Sequence, residues 1–297
     1  MGVKDIPSII DYINIIKNKN YVFINNTLIT QQGIKIIKHN EVYYTENKAF
    51  NLSSSINNNN LSIYYNSLNS NIQYKITYIG HSQGTAQIFA AYSLFPNYFK
   101  SVLNGIIALG PVSCLEYIDS PIIKFIANKN VENLLYYLNV NEILTTKSDI
   151  NRIVKFICDI LLYLCEELLE MISDKDSYTD NDIDKILVWA SHFPSGTSSK
   201  NLIHFSKIIR NKKFIDFNEK EYNLLNINTK VALFIGSNDK LSTLVDSRLL
   251  RNLFIKNDSL FFYKEYKLFG HATFFLNKNI EYIEDVLTCL DYFTRYS

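Results

Sequence analysis

The chain has 297 residues, with 30 Lys+Arg against 29 Asp+Glu and a formal net charge of +1 at pH 7. That length can bury a sizeable core, either in one large domain or in a domain with an inserted cap. The balanced charge argues against a polyanionic partner such as nucleic acid. The 21 Tyr and 19 Phe suit an apolar cavity, but a residue bias of the genome produces the same counts, and we favour that bias.

The N-terminal segment carries charges at Lys4 and Asp5, where a signal peptide has its apolar core. We therefore expect no signal peptide in the chain as given. Isoleucines then recur with helical spacing, which predicts a helix from Ile6 to Ile16 that begins beside Pro7.

From Lys17 to Asn71 the sequence becomes rich in asparagine, and we interpret this stretch as an insertion. Two pieces of it, Tyr21 to Thr30 and Gly33 to Tyr44, contain residues that favour strands and predict a hairpin. The remainder, Glu46 to Asn71, predicts a mobile loop.

The most informative motif is the pentad Gly80-His81-Ser82-Gln83-Gly84. An apolar run, Tyr74 to Ile79, precedes it, and a helical pattern from Gln83 to Leu94 follows. A serine on such a strand-to-helix turn is held in strained backbone geometry that exposes its hydroxyl. Glycines two residues before and after it let neighbouring backbone pass close. The start of the helix directs amide hydrogens, that of Gln83 first, to where an oxyanion would form.

The rest of the chain predicts a parallel α/β sheet interrupted by an all-helical block. We divide it into a core from 1 to 119 with the insertion 17–71, a helical cap or lid from 120 to 217, and a second core part from 218 to 297. Strands are predicted at Gly105–Leu109, Val231–Ile235 and Leu260–Tyr266, and helices at Pro121–Leu138, Ile150–Ser173, Asn181–Ala190, Ser198–Arg210 and Ile280–Phe293.

A serine nucleophile needs a histidine to accept its proton and an acid to orient that histidine. In the fold that carries this motif, the chain order is serine, acid, histidine. Asp239 follows the predicted strand Val231–Ile235, and His271 follows the strand Leu260–Tyr266. The sequence therefore predicts that Ser82, Asp239 and His271 converge from three strand ends.

Each of these three residues has an alternative reading. The pentad by itself is also compatible with a glycine-bracketed turn, and Asp239 with an ordinary Asx turn, in which case Asp246 is the rival acid. Four other histidines compete with His271. His39 lies in the insertion, and His192 and His204 lie in the helical block. His81 lies in the pentad itself, where we expect its side chain to point the wrong way.

Metal and membrane signals are weak. None of the four cysteines, Cys114, Cys158, Cys165 and Cys289, has zinc-ligand spacing with a histidine, so we expect no zinc site. Cys158 and Cys165, seven apart on a predicted helix, are too far apart for a disulfide, and we expect buried free thiols. The serine chemistry needs no metal and no cofactor. The longest apolar stretch, Ile157 to Met171, contains four acidic residues and predicts an amphipathic helix, so we expect no transmembrane segment.

Three motifs together resemble the acid lipases, the gastric and lysosomal lipase family that includes steryl ester hydrolases. They are the pentad, the run Ala108-Leu109-Gly110-Pro111-Val112, and above all His192-Phe193-Pro194-Ser195-Gly196-Thr197-Ser198 with Asn201 and His204. Related hydrolases share the pentad, whereas the segment from His192 to His204 is close to a signature. The resemblance covers about Met1 to Ile16 and Gln73 to the C-terminus.

The resemblance implies an α/β-hydrolase fold with a helical lid and hydrolysis of neutral-lipid esters at a lipid interface. It assigns the nucleophile to Ser82, the acid to Asp239 and the base to His271. It also implies a secreted, lysosomal or vacuolar location for a full-length form. The alternatives are a catalytically impaired or inactive fragment that only binds lipid, and a soluble thioesterase or peptidase on the same fold.

Two departures from the family bear on activity. The segment that resembles Met1 to Pro7 lies well inside family members, so about four strands of the sheet and one of two oxyanion donors are expected to be missing, leaving the amide of Gln83. The family usually has an acidic and aromatic pair soon after the histidine, whereas Ala272-Thr273-Phe274-Phe275 follows His271 here and keeps only the aromatic residue.

Overall fold

The computed structural model describes three sheets, most of the predicted core and part of the predicted helical block. The described residues are 5–10, 13, 21–24, 27–30, 35–39, 42–45, 75–138, 142–143, 197–276 and 280–295. The predicted helices Ile150–Ser173 and Asn181–Ala190, the predicted loop Glu46–Asn71, and His192, Cys158 and Cys165 lie outside these residues.

Residues 5–10 and 13 are helical, in agreement with the predicted N-terminal helix. The strands are β1 (Tyr21–Ile24), β2 (Thr27–Thr30), β3 (Lys35–His39), β4 (Val42–Thr45), β5 (Ile76–His81), β6 (Leu103–Leu109), β7 (Glu142–Ile143), β8 (Thr197–Ser198), β9 (Lys230–Gly236) and β10 (Leu260–Tyr266). The helices are α1 (Gln83–Leu94), α2 (Pro96–Val102), α3 (Pro121–Ile126), α4 (Lys129–Tyr137), α5 (Ser199–Asn211), α6 (Leu244–Lys256), α7 (Thr273–Leu276) and α8 (Glu281–Arg295).

The central sheet has the strand order β10-β9-β6-β5, and every pair of neighbours is parallel. Parallel strands place all their carboxyl ends at one edge, so the loops after β5, β6, β9 and β10 meet there. The predicted parallel α/β class is confirmed, and each predicted strand of this sheet lies within two residues of its observed bounds.

Hydrophobic side chains cover both faces of the sheet because successive residues of a strand point to opposite sides. On β9, Val231, Leu233 and Ile235 join the larger core with helices α1, α2 and α6. Ala232 and Phe234 join a smaller core with the last helix, α8. Near-continuous apolar strands are typical of a sheet buried on both faces.

The four strands within the predicted insertion form a sheet of their own. Strands β1 to β4 pair antiparallel in sequence order, and within the described residues they pair only with one another. The prediction of one hairpin from two long strands was wrong, because each piece is itself a hairpin. In the sequence, only two residues separate β1 from β2 (Asn25-Asn26) and β3 from β4 (Asn40-Glu41).

The predicted helix Pro121–Leu138 is divided into α3 and α4. The side chain of Asn128 accepts a hydrogen bond from Asn130 N at 2.9 Å and caps the second helix. An asparagine that bonds to its own backbone ends one helix and starts another more readily than it continues one. The antiparallel pair β7–β8 was not predicted. The division into core and cap stays a prediction.

Candidate active site

Ser82 lies in the turn between β5 and α1, as the pentad predicts. Its backbone has φ 52° and ψ −121°, in a region that residues other than glycine rarely occupy. Ser82 N donates to Leu109 O at 3.1 Å, which ties the turn to the end of β6. Held this way, the serine stands at the carboxyl edge of the sheet on a strained turn.

The two glycines around the serine do not serve the same purpose. A Cβ on Gly80 would lie 2.8 Å from Tyr78 Cε1 and 3.0 Å from the carbonyl carbon of Gly84, so this position needs glycine. A Cβ on Gly84 would meet only Tyr78 Oη, at an ordinary 3.7 Å. The predicted close approach of backbone holds at Gly80 and was wrong at Gly84.

The structure brings Ser82, His271 and Asp239 together in one hydrogen-bonded line. His271 Nε2 lies 2.6 Å from Ser82 Oγ, and His271 Nδ1 lies 2.8 Å from Asp239 Oδ2. If Nδ1 carries the ring proton and donates it to the carboxylate, Nε2 is free to accept the serine proton. The arrangement has the geometry of a nucleophile, a base and an orienting acid.

Asp239 uses its other oxygen to hold its own loop. Oδ1 accepts from Leu241 N at 2.8 Å and from Ser242 N at 2.6 Å, while Oδ2 faces His271. The Asx turn that competed with the triad assignment is therefore present as well. One carboxylate oxygen shapes the loop, and the other points to the imidazole.

Gly110 lies directly beside this pair, whereas the sequence analysis placed it only in the run Ala108–Val112 and gave it no role at the site. It has φ +50°, and a Cβ there would lie 3.3 Å from both Asp239 Oδ2 and His271 Nδ1. Thr85 braces the same region, because its hydroxyl donates to Ser82 O at 2.6 Å and accepts from Val112 N at 2.8 Å. The Gly110-Pro111 pair after a predicted strand is the sequence signal for this contact.

His81, expected to point the wrong way, faces the loop of the base instead of the serine. Its Nε2 donates to the carbonyl oxygen of His271 at 2.8 Å, and the two rings have centroids 4.8 Å apart. Phe275 packs edge-on against the His81 ring, 5.1 Å between centroids. Burial, with a contribution from His271, lowers the pKa of His81 to about 4, so at neutral pH the ring is neutral.

The rival residues have other partners. Asp246 is buried in the first turn of α6 and binds backbone of the loop after β6 instead of a histidine, with Oδ1 accepting from Glu116 N at 3.2 Å and Oδ2 from Tyr117 N at 3.1 Å. His204 Nε2 donates to Ile215 O at 2.7 Å. Of His39, only the backbone in β3 is described.

The described residues also bear on metal binding and membrane insertion. No group of three or more metal-binding side chains occurs among them. In that part of the chain, no helix has the length and apolarity needed to cross a bilayer. Cys114 is half-buried and Cys289 buried, both as free thiols, and burial raises the pKa of Cys289 to about 11.

Curated proteins similar to this chain are lipases. Gastric triacylglycerol lipase of Rattus norvegicus is 29% identical over 68% of this chain and 54% of its own length. Lipase member K of Mus musculus is 26% identical over 70% of this chain and 55% of its own length. Human lysosomal acid lipase/cholesteryl ester hydrolase is 27% identical over 70% and 53%. The chain spans about half the length of the curated relatives it matches.

Solved structures give weaker similarities. A monoacylglycerol lipase of Paleococcus ferrophilus overlaps 82% of this chain and 77% of its own with a TM-score of 0.44 and 15% identity. BpoC of Mycobacterium tuberculosis, described as a non-heme bromoperoxidase, reaches 0.45 and 16% over 83% and 76%. No protein-family model matches the chain.

Proposed function

The chain belongs to the acid lipase family and has the α/β-hydrolase fold, and from this kinship we propose that it hydrolyses carboxylic esters of neutral lipids through a serine nucleophile. The substrates we propose are triacylglycerols or steryl esters, the classes that the names of its relatives contain. A secreted, lysosomal or vacuolar location, in line with the gastric and lysosomal relatives, is part of the same proposal.

One observation carries the proposal, namely the line of two hydrogen bonds from Ser82 through His271 to Asp239. Because the donor–acceptor distances are already 2.6 and 2.8 Å, the three side chains need no rearrangement before proton transfer. Asp239 and His271 are both buried, 4% and 5% exposed, which keeps their hydrogen bond out of competition with water.

In the proposed reaction, Ser82 Oγ attacks the ester carbonyl carbon while its proton moves to His271 Nε2. The carbonyl oxygen becomes an oxyanion, and the main-chain amide of Gln83, at the start of α1, donates to it. When the C–O bond to the alcohol breaks, His271 returns the proton to the leaving alcohol. Water then attacks the acyl-serine by the same route, and the acid is released. Asp239 stabilises the imidazolium in both halves.

We further propose that residues 120–217 act as a lid that meets the lipid. In support, five large apolar side chains of α3, α4 and the residue after α4 are exposed, namely Phe125, Leu134, Tyr136, Tyr137 and Leu138. An exposed apolar surface is suited to adsorption at a lipid interface.

Covalent labelling tests the nucleophile. A fluorophosphonate probe should label the wild-type protein, and Ser82→Ala should abolish both labelling and hydrolysis while the circular dichroism spectrum is unchanged. Ser101→Ala, which removes an ordinary serine hydroxyl bonded to Tyr98 O, is the matched control and should be labelled normally. Labelling that persists in Ser82→Ala would transfer the nucleophile elsewhere.

Substrate choice tests the lipid part of the proposal. We expect long-chain glycerol or sterol esters to be preferred and the rate to rise when an emulsion forms. Short-chain preference without change at the solubility limit would indicate a plain esterase. Lipid binding with no hydrolysis at all would indicate a lipid-binding protein instead.

A further inference from the structure

One side-chain hydrogen bond joins the nucleophile turn to helix α5. Gln83 Nε2 donates to Asn201 Oδ1 at 3.2 Å, between residues 118 positions apart in the chain. Gln83 is the residue whose main-chain amide we propose as the oxyanion donor. The hydrogen bond to Asn201 therefore restrains Gln83, the residue whose main-chain amide would contact the developing charge.

The amide of Asn201 is oriented by its own neighbours. Asn201 Nδ2 donates to Thr197 Oγ1 at 3.1 Å, which leaves Oδ1 as the acceptor that faces Gln83. Asn201 N donates to Ser198 Oγ at 3.1 Å, the N-cap interaction of α5. The hydroxyl of Thr197 thus fixes which end of the Asn201 amide meets the nucleophile turn.

Helix α5 is itself anchored away from the site, so Asn201 stands on a fixed support. Arg210, in its last turn, donates through Nη1 to Ala127 O at 2.8 Å and pairs with the buried Glu132 of α4. His204 donates to Ile215 O from the middle of the helix. A side chain on a braced helix holds its partner more accurately than one on a loop.

We propose that Asn201 is a positioning residue that holds Gln83 so that its main-chain amide points at the ester oxygen when that oxygen becomes charged. The inference rests on the proposed hydrolytic function. Removal of a complete oxyanion donor typically costs about 10²- to 10³-fold in rate. A donor that is present but less well aimed should cost less, about 10- to 100-fold in kcat.

The test compares Asn201→Ala with wild type on a soluble p-nitrophenyl ester. We expect kcat to fall about 10- to 100-fold with KM within about twofold, because the donor acts in the transition state rather than in substrate binding. The rate of fluorophosphonate labelling should fall by a similar factor. Asn211→Ala removes an asparagine hydrogen bond to Lys207 O at the other end of the same helix and should leave both rates unchanged.

Gln83→Ala removes the same hydrogen bond from the other side and keeps both the main-chain amide and helix α5. It should lower kcat as much as Asn201→Ala, and the double variant should be no worse than either by more than about twofold. This second variant decides the matter if Asn201→Ala does not fold.

Three results would count against the inference. If wild type is active but both single variants keep full kcat, Asn201 does not position the donor and the proposed function stands. If the two effects multiply in the double variant, the residues act independently and the inference is wrong. If wild type neither hydrolyses esters nor is labelled, the proposed function falls and the inference falls with it.

Discussion

Asp239 and Asp246 are buried to a similar extent but have different hydrogen-bond partners. Asp239 lies in the loop after β9, and Asp246 lies in the first turn of α6. They are 4% and 6% exposed. Asp239 divides its oxygens between its own loop and the imidazole of His271. Asp246 gives both oxygens to groups that shape the fold, including the hydroxyl of Thr243 at 3.1 Å.

The surroundings of the two carboxylates explain the difference. Thr243 caps α6, since its hydroxyl oxygen accepts from Asp246 N at 3.3 Å, and the same hydroxyl donates to Asp246 Oδ2. Burial raises the pKa of Asp246, and the backbone hydrogen bonds from Tyr117 and Glu116 only partly offset that effect. A buried acid is therefore not evidence of catalysis by itself. The atom that it faces decides its role.

The largest expected effect is that of Asp239→Asn. An asparagine keeps the shape but stabilises the wrong tautomer of His271, so kcat should fall by up to about 10⁴-fold. Steady-state kinetics on a soluble ester measure this, with thermal unfolding as the check on folding. A loss that is larger for Asp246→Asn than for Asp239→Asn would transfer the role of the acid.

Gly110→Ala tests how closely the backbone at Gly110 packs against the side chains of Asp239 and His271. The new methyl group would lie 3.3 Å from Asp239 Oδ2 and His271 Nδ1, and the backbone φ of +50° disfavours a residue with a Cβ. We expect kcat to fall about 10- to 100-fold and stability to fall by about 1 kcal/mol. Gly84→Ala, where a Cβ has room, is the matched control. Equal effects of the two substitutions would contradict this account.

Asp246→Asn should instead reduce stability. The new amide group would face donors that now bind a carboxylate oxygen, which typically costs about 1–3 kcal/mol. The midpoint of urea unfolding should move to lower concentration, while kcat changes by less than about threefold. Unchanged stability together with a large loss of kcat would reverse the contrast between the two aspartates.

The smallest effect concerns the pH dependence of stability and His81, which contacts the loop of His271. The pKa of His81 is lowered from 6.5 to about 4, so the unfolded chain binds more protons than the native state between these values. Its contribution to stability is complete above pH 6.5 and is lost as pH falls toward 4. We expect roughly 1–2 kcal/mol, less than full conversion of the shift because the ring is partly exposed.

The comparison variant for this effect is His81→Gln, which keeps a donor for His271 O and does not titrate. Urea unfolding at several pH values should show a flatter dependence between pH 4 and 6.5 than wild type. The same slope in both proteins would assign the pH dependence to other groups.

The sequence by itself determined the class of the fold, and it predicted which residues form the candidate site. Apolar runs gave the strands β5, β6, β9 and β10, because a parallel sheet covered on both faces needs near-continuous hydrophobic residues. The pentad identified Ser82 as the candidate nucleophile. The chain order of serine, acid and histidine in this catalytic arrangement then pointed to Asp239 and His271, each of which follows a later strand. Such signals are local, so they can be read before any tertiary contact is known.

Only the tertiary structure decided which side chains meet. The sequence favours Asp239 over Asp246 because Asp239 directly follows a strand, but only the fold shows that Asp239 faces His271. Only the fold shows, too, that Gly110 lies against both residues. The contact between Gln83 and Asn201 joins residues 118 positions apart and depends on where α5 packs. Contacts of this kind follow from packing of whole elements, because a hydrogen bond acts over about 3 Å whatever the distance along the chain.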